Sequence, residues 1–112
     1  MNTFELFEKV LEDQLRQTKK VLGVKGTEYS KGGDRFSNFK DAARIEKTSP
    51  EQALLGMMVK HEVSVRDIVI SLPFLPSESM LDEKIGDWIN YLILLKGLIT
   101  ERIETRKLHL YD

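Results

Sequence analysis

Residues 48–71, TSPEQALLGMMVKHEVSVRDIVIS, contain the clearest helix signal in the chain. Ser49 is suited to cap a helix, Pro50 fits the first helical turn, and Gln52 completes a capping box. The pattern predicts a long helix from Pro50 to about Ser71. Apolar and polar residues alternate with period two only briefly, at residues 63–65, so a sheet is not expected.

The N-terminal segment is also predicted to be helical. Thr3 is a candidate N-cap, and apolar residues recur at helical spacing over residues 4–22, so a helix is expected to end near Gly23. Residues 24–38 contain three glycines and are interpreted as a loop. A short helix from about Asn38 to Glu46 is predicted to follow.

The C-terminal segment begins with a proline-rich break. Pro73 and Pro76 interrupt the long helix, and Ser77 or Ser79 then caps a last helix, predicted from about Glu78 to Arg106. Residues 1–112 are therefore expected to form one all-α domain. Its predicted architecture is a compact antiparallel helical bundle of three substantial helices and one short helix.

Composition restricts the classes of function. The chain is 41% hydrophobic and 31% charged, as is typical of a folded domain. Seventeen basic and 18 acidic residues give a net charge of -1, which disfavours nucleic acid as a partner. There is no cysteine, so disulfides, thiolate zinc sites and cysteine nucleophiles are excluded, and any metal must be held by oxygen or imidazole ligands.

The expected location is the cytoplasm. Residues 1–20 mix charged and apolar side chains and lack the apolar core of a signal peptide. No later run reaches the roughly 18 apolar residues of a membrane span. We therefore expect no membrane partner.

Two helical stripes of polar residues are the main candidates for a site, because residues at i, i+4 and i+7 share a face. They comprise Lys60, Ser64 and Asp67, with His61 and Glu62 beside them, and Glu83, Asp87 and Asn90. A buried carboxylate needs a cation, hydrogen bonds or a metal. Lys60, Arg66 or magnesium could supply that compensation, and a structural salt bridge between Lys60 and Asp87 is the alternative.

Some of these residues also have ordinary structural interpretations. Glu83 lies in a charged run, residues 82–84, that is typical of a solvated helix face. His61 is, by itself, more often a packed or capping residue than a ligand. His109 is given no functional role.

The glycine-containing segment 25–39 is a second candidate site. Lys31 and Arg35 are suited to bind phosphate, and Tyr29 or Phe36 to stack on a base. The segment matches no phosphate-loop motif, because it lacks Gly-Lys-Ser or Gly-Lys-Thr. The alternative is a surface turn with two aromatic anchors.

Several short motifs occur in a recognisable order. They are Glu28-Tyr29, Asp34-Arg35-Phe36, Asn38-Phe39, Gly56-Met57-Met58-Val59-Lys60-His61 and Asp82-Glu83-Lys84-Ile85-Gly86-Asp87-Trp88-Ile89-Asn90-Tyr91. Over about residues 24–98 the chain resembles small phage and prophage proteins of nucleotide metabolism or modification. These are distantly similar to the MazG-like all-α nucleoside triphosphate pyrophosphohydrolases. A phage protein would act in the host cytoplasm.

The resemblance implies roles for specific residues. In catalytic members, E-x-x-E and E-x-x-D motifs hold magnesium against a triphosphate, whereas here Asp87-x-x-Asn90 stands at the second motif and Lys60-His61-Glu62 with Asp67 near the first. The implied magnesium ligands are Glu83, Asp87 and Asn90. The implied catalytic residues are Glu62, Asp67, Glu83 and Asp87. The substrate-binding candidates are Tyr29, Lys31, Asp34, Arg35, Asn38, Lys60, His61 and Asn90.

Three functions are consistent with this pattern. The leading hypothesis is a nucleotide-binding protein that hydrolyses a nucleoside triphosphate to monophosphate and diphosphate with magnesium. The alternatives are a phage module that sequesters a nucleotide or nucleotide-derived signal without turnover, and a protein-interaction factor acting on a host complex. A homo-oligomer is expected, because the third and fourth helices are apolar on more than one face.

Overall fold

The computed structural model describes residues 1–29 and 32–109, with side chains over 1–23 and 32–109. Its regular elements are four helices: α1 (Thr3–Tyr29), α2 (Ser37–Glu46), α3 (Pro50–Ser71) and α4 (Glu78–His109). The predicted all-helical class, with three substantial helices and one short one, is confirmed. Among the described residues, no helix is both long and apolar enough to cross a membrane.

Side-chain caps fix the starts of the long helices. The Ser49 hydroxyl accepts a hydrogen bond from the Gln52 backbone N–H at 3.1 Å, so α3 begins as predicted. Ser77, rather than Ser79, caps α4 by accepting from the Met80 N–H. At α1 the cap is Asn2 and not Thr3, because the Asn2 amide oxygen accepts from the Glu5 N–H at 2.8 Å.

The predicted end of α1 was wrong. The helix continues past Gly23 and Gly26 to Tyr29. A helical glycine costs only about 1 kcal/mol relative to alanine, which does not by itself stop a long helix. Gly32 and Gly33 instead have positive φ angles of 62° and 78° and form the turn before α2. The end of α4 is also three residues later than predicted, at His109.

The packing is organised around α4. α3 and α4 form an antiparallel hairpin, α2 packs on α3, and α1 packs on α4. The buried centre consists of Phe39, Leu54 and Leu98. The ring of Phe36 lies directly on Gly97, so a Cβ atom at that glycine would lie 2.7 Å from the ring. Gly97 therefore allows the segment before α2 to dock on α4.

The molecule is elongated, so the predicted compactness was wrong. Its extents are 56 × 29 × 25 Å and its radius of gyration is 17.1 Å. A compact domain of this length has a radius of gyration of about 13 Å. The difference arises because α4, with 32 residues, is longer than the helices packed on it. A long α4 also separates two sets of polar side chains, one near its middle and one nearer its C-terminal end.

Candidate functional site

A groove lies where α2, α3, α4 and the end of α1 meet, and it collects several of the predicted residues. We call it the central groove; its volume is about 520 Å³. Its lining residues are Val21, Leu22, Arg35, Asn38, Phe39, Met57, Lys60, His61, Asp87, Asn90, Tyr91 and Leu94. The structure thus brings together six predicted site residues from three parts of the sequence, namely Arg35, Asn38, Lys60, His61, Asp87 and Asn90.

Asn90 is the most unusual polar residue of the central groove. Its side chain belongs to the buried face of α4, and the residue is 8% exposed. Its Oδ1 atom has no hydrogen-bond partner within the described part of the chain. A buried polar atom without a partner costs about 1–3 kcal/mol, so such atoms are rare in folded proteins unless a bound group satisfies them.

The wall of the central groove is aromatic. The His61 and Tyr91 rings lie with centroids 4.7 Å apart, and Phe39 contacts Tyr91 edge to face with centroids at 6.4 Å. Burial, followed by the negative charge of Asp87, raises the pKa of the Tyr91 phenol above its usual value. Tyr91 therefore keeps its proton at neutral pH and remains a hydrogen-bond donor.

Asp87 is the acidic group of the central groove, and it lies beside His61. The His61 Nδ1 and Asp87 Oδ2 atoms are 3.6 Å apart, and the His61 side chain is 15% exposed. The proposed salt bridge between Lys60 and Asp87 is not formed. His61 thus combines the expected packing role, against Tyr91, with a position next to the carboxylate.

Two cationic side chains line the central groove without an anionic partner. Neither Arg35 nor Lys60 takes part in an ion pair with the described side chains, those of residues 1–23 and 32–109. Other basic residues of the helices differ in this respect: Arg66 pairs with Glu62 at 3.6 Å, whereas Lys9 and Lys96 also form no ion pair with the described side chains. The central groove therefore offers two positive charges to an incoming anion.

Glu83 lies in a neighbouring groove between α1 and α4. This α1–α4 groove has a volume of about 360 Å³ and shares Asp87 and Asn90 with the central groove. The Glu83 side chain is mostly exposed, and its carboxylate lies 3.7 Å from the Lys84 ammonium. Glu83 and Asp87 are thus on connected surfaces, although Glu83 does not line the central groove.

The other predicted residues lie elsewhere. Asp67 lines a separate groove beside the α3–α4 connection, and Glu62 pairs with Arg66. Asp34 bonds to Lys40 at 2.7 Å and accepts from the Phe36 backbone N–H, so it stabilises the turn before α2. The side chain of Tyr29 and the whole of Lys31 lie outside the described residues.

Two aromatic residues that line the groove, Phe39 and Tyr91, were not predicted as site residues. Their signal was present, because Tyr91 follows Asp87 by four positions and so shares its helix face. The contribution of α1, through Val21 and Leu22, was also missed, because helical spacing along α1 does not show which other helices its apolar side chains will meet.

The central groove offers few side chains that could bind magnesium. Across the described chain, no three His, Asp or Glu side chains are grouped as metal ligands would be. Asp87 and the unpartnered oxygen of Asn90 are nevertheless suitable oxygen ligands. Magnesium commonly takes only one or two protein carboxylates when substrate phosphates supply further ligands. These two residues therefore fit an ion that arrives with a phosphate group.

No protein-family model, curated protein or solved structure matches this chain.

Proposed function

We propose that the protein binds a nucleotide in the central groove. The observation that carries the proposal is the Asn90 side chain, which lines a groove with two cations that have no described anionic partner, and whose buried Oδ1 atom lacks a partner among the described residues. A ligand hydroxyl or N–H group that bonded to this oxygen would remove the cost of leaving it unsatisfied. Nucleosides provide such donors on both the sugar and the base.

The other features of the central groove match the remaining parts of a nucleotide. Arg35 and Lys60 would bind the phosphates through charge-assisted hydrogen bonds. The His61 and Tyr91 rings provide an apolar surface for a base, and stacking of this kind contributes about 1–3 kcal/mol per base. A volume of about 520 Å³ lies within the usual range for small-ligand sites.

Magnesium and membership of the MazG-like class remain part of the proposal. Asp87 and Asn90 would hold the ion, which would neutralise charge on the ligand's phosphates. Hydrolysis is not included, because the described central groove contains one carboxylate and the other predicted catalytic residues lie outside it. The geometry therefore favours the non-catalytic form of the hypothesis.

Calorimetric titration with ATP, ADP and inorganic triphosphate tests the proposal. We expect ATP to bind more tightly than triphosphate, because only ATP can use the aromatic wall and Asn90. Lys60→Ala should weaken ATP binding about tenfold, which corresponds to about 1.4 kcal/mol. Lys96→Ala is the matched control, because Lys96 is also an exposed helical lysine but does not line the groove.

Two results would overturn nucleotide binding. One is the absence of heat or thermal stabilisation with all three ligands, with and without magnesium. The other is an equal loss of affinity in Lys60→Ala and Lys96→Ala, since that would indicate unspecific attraction of anions. A tighter interaction with magnesium that disappears in Asp87→Asn would support the role of Asp87 at the ion.

A further inference from the structure

The N-terminal half of α1 exposes a continuous apolar stripe. Phe4, Phe7, Leu11 and Leu15, which we call the α1 stripe, are 72%, 67%, 49% and 55% exposed. Their spacing of three, four and four residues places them on one helix face. An apolar face of this kind is normally buried against another element.

Within the chain, α1 meets α4 along one edge of the α1 stripe. Gln14 lies over Gly86, at 3.6 Å from the position a Cβ atom would take there, and the Gln17 amide reaches the Asp82 carboxylate at 3.4 Å. These polar residues are on the side of α1 that meets α4. The α1 stripe is therefore left uncovered by the rest of the described chain.

The exposed area exceeds that of a stand-alone protein of this size. The chain has an accessible surface of 8730 Å². A folded monomer of 12.9 kDa is expected to expose roughly 6300 Å². The excess is about 2400 Å² per chain, or roughly twice that for two chains. Obligate homodimer interfaces bury about 2000–5000 Å² in total over both subunits, so the excess is large enough for such an interface.

The same chain also provides apolar surface that could receive the α1 stripe. Leu92, Ile99 and Ile103 of α4 are all more than 40% exposed. They lie on the face of α4 opposite the buried residues Asn90 and Leu98. A helix that is apolar on two opposite faces is normally interior to an assembly. Because the net charge is only -1, two copies would not repel each other strongly.

We propose that a second copy of this chain covers the α1 stripe, so that the protein is an obligate homodimer. The stripe continues seven residues beyond Leu15 to Leu22, which lines the central groove. The second copy would therefore lie along the same helix face that ends at the groove. This interface is independent of whether the groove binds a nucleotide.

Light scattering coupled to gel filtration tests the proposal on the full chain. We expect the wild type to have twice the 12.9 kDa chain mass at micromolar concentration. The double variant Phe7→Glu/Leu11→Glu should be a monomer, because two carboxylates would be buried in the interface. The matched control is Leu6→Glu. Leu6 is 51% exposed and Leu11 is 49% exposed, but Leu6 precedes Leu11 by five positions and therefore lies on another face of α1.

Circular dichroism of the double variant checks that the helices persist. Loss of the dimer with retained helicity, together with a dimeric Leu6→Glu protein, would support the assignment. A monomeric wild type would overturn it and would point to a different occupant of the α1 stripe. An oligomer that survives Phe7→Glu/Leu11→Glu would also overturn it, since its interface would then lie elsewhere.

Discussion

The middle and the C-terminal part of α4 carry similar polar residues but use them differently. Near Glu101, Lys40 bridges two carboxylates, Asp34 at 2.7 Å and Glu101 at 2.9 Å, and Arg102 contacts Glu51. Near Asn90, the lysine and arginine of the central groove have no described ionic partner. The first region uses its charges to hold α2, α3 and α4 together, whereas the second leaves them available to a ligand.

The pKa shifts follow the same division. Hydrogen bonds from Lys40 lower the pKa of Asp34, and those from Arg102 lower the pKa of Glu51. In the central groove, burial rather than an ionic partner is the largest cause of the raised pKa of Tyr91. Paired charges thus mark the structural region, and a desolvated aromatic beside an unsatisfied amide marks the candidate site.

Replacing Asn90 by leucine, a side chain of similar size, should change the behaviour of the protein most. In the free protein, Asn90→Leu removes a buried oxygen without a described partner, so we expect a gain in unfolding free energy of about 1 kcal/mol. ATP binding should nevertheless fall by at least about tenfold, because the ligand loses its acceptor. Chemical denaturation and calorimetric titration measure the two quantities separately.

Asn90→Asp serves as the comparison variant. It keeps an oxygen acceptor but adds a charge to a buried position, so it should lower the stability of the free protein. If Asn90→Leu instead destabilised the protein and left ATP binding unchanged, Asn90 would be structural. The contrast between the two regions of α4 would then be lost.

The helical fold could be predicted largely from local sequence. Ser49 and Pro50 set the start of α3 correctly, because capping and the fixed φ of proline act within one turn. The end of α1 could not be predicted, because Gly23 and Gly26 carry only a modest helical penalty that neighbouring helical residues outweigh.

The candidate site was predicted only in part. Asp87 and Asn90 share a helix face by spacing alone, and the structure places both in the central groove. Asp34 and Arg35 are adjacent in sequence, yet one pairs with Lys40 and the other lines the groove. Spacing along one segment does not predict which residue of another helix will pair with a charged side chain. That pairing distinguishes the region near Glu101 from the central groove.

Two glycines provide the next test, because one supports the docking of the segment before α2 on α4 and the other does not. A Cβ atom at Gly97 would lie 2.7 Å from the Phe36 ring, whereas one at Gly56 would meet nothing within 4 Å. Gly56→Ala should stabilise the protein by about 1 kcal/mol through helix propensity. Gly97→Ala should lose about 1 kcal/mol overall, because overpacking outweighs that gain. Equal stabilisation in urea denaturation would show that Phe36 does not depend on Gly97.

The pH dependence of the Lys40 bridge should be weaker than the effects of these substitutions. Because the folded pKa of Asp34 lies below its unfolded value, the bridge contributes stability above about pH 4, and this contribution is lost as the pH falls through the folded pKa. Both side chains are partly exposed, so the contribution should be at most about 1 kcal/mol.

Asp34→Asn should melt below the wild type at pH 7, and the two melting temperatures should converge towards pH 2. Lys40→Met, which removes this pair together with the pair between Lys40 and Glu101, should converge in the same range. A constant difference between Asp34→Asn and the wild type across this range would contradict an ionic role for Asp34, since the asparagine oxygen can still accept from the Phe36 N–H.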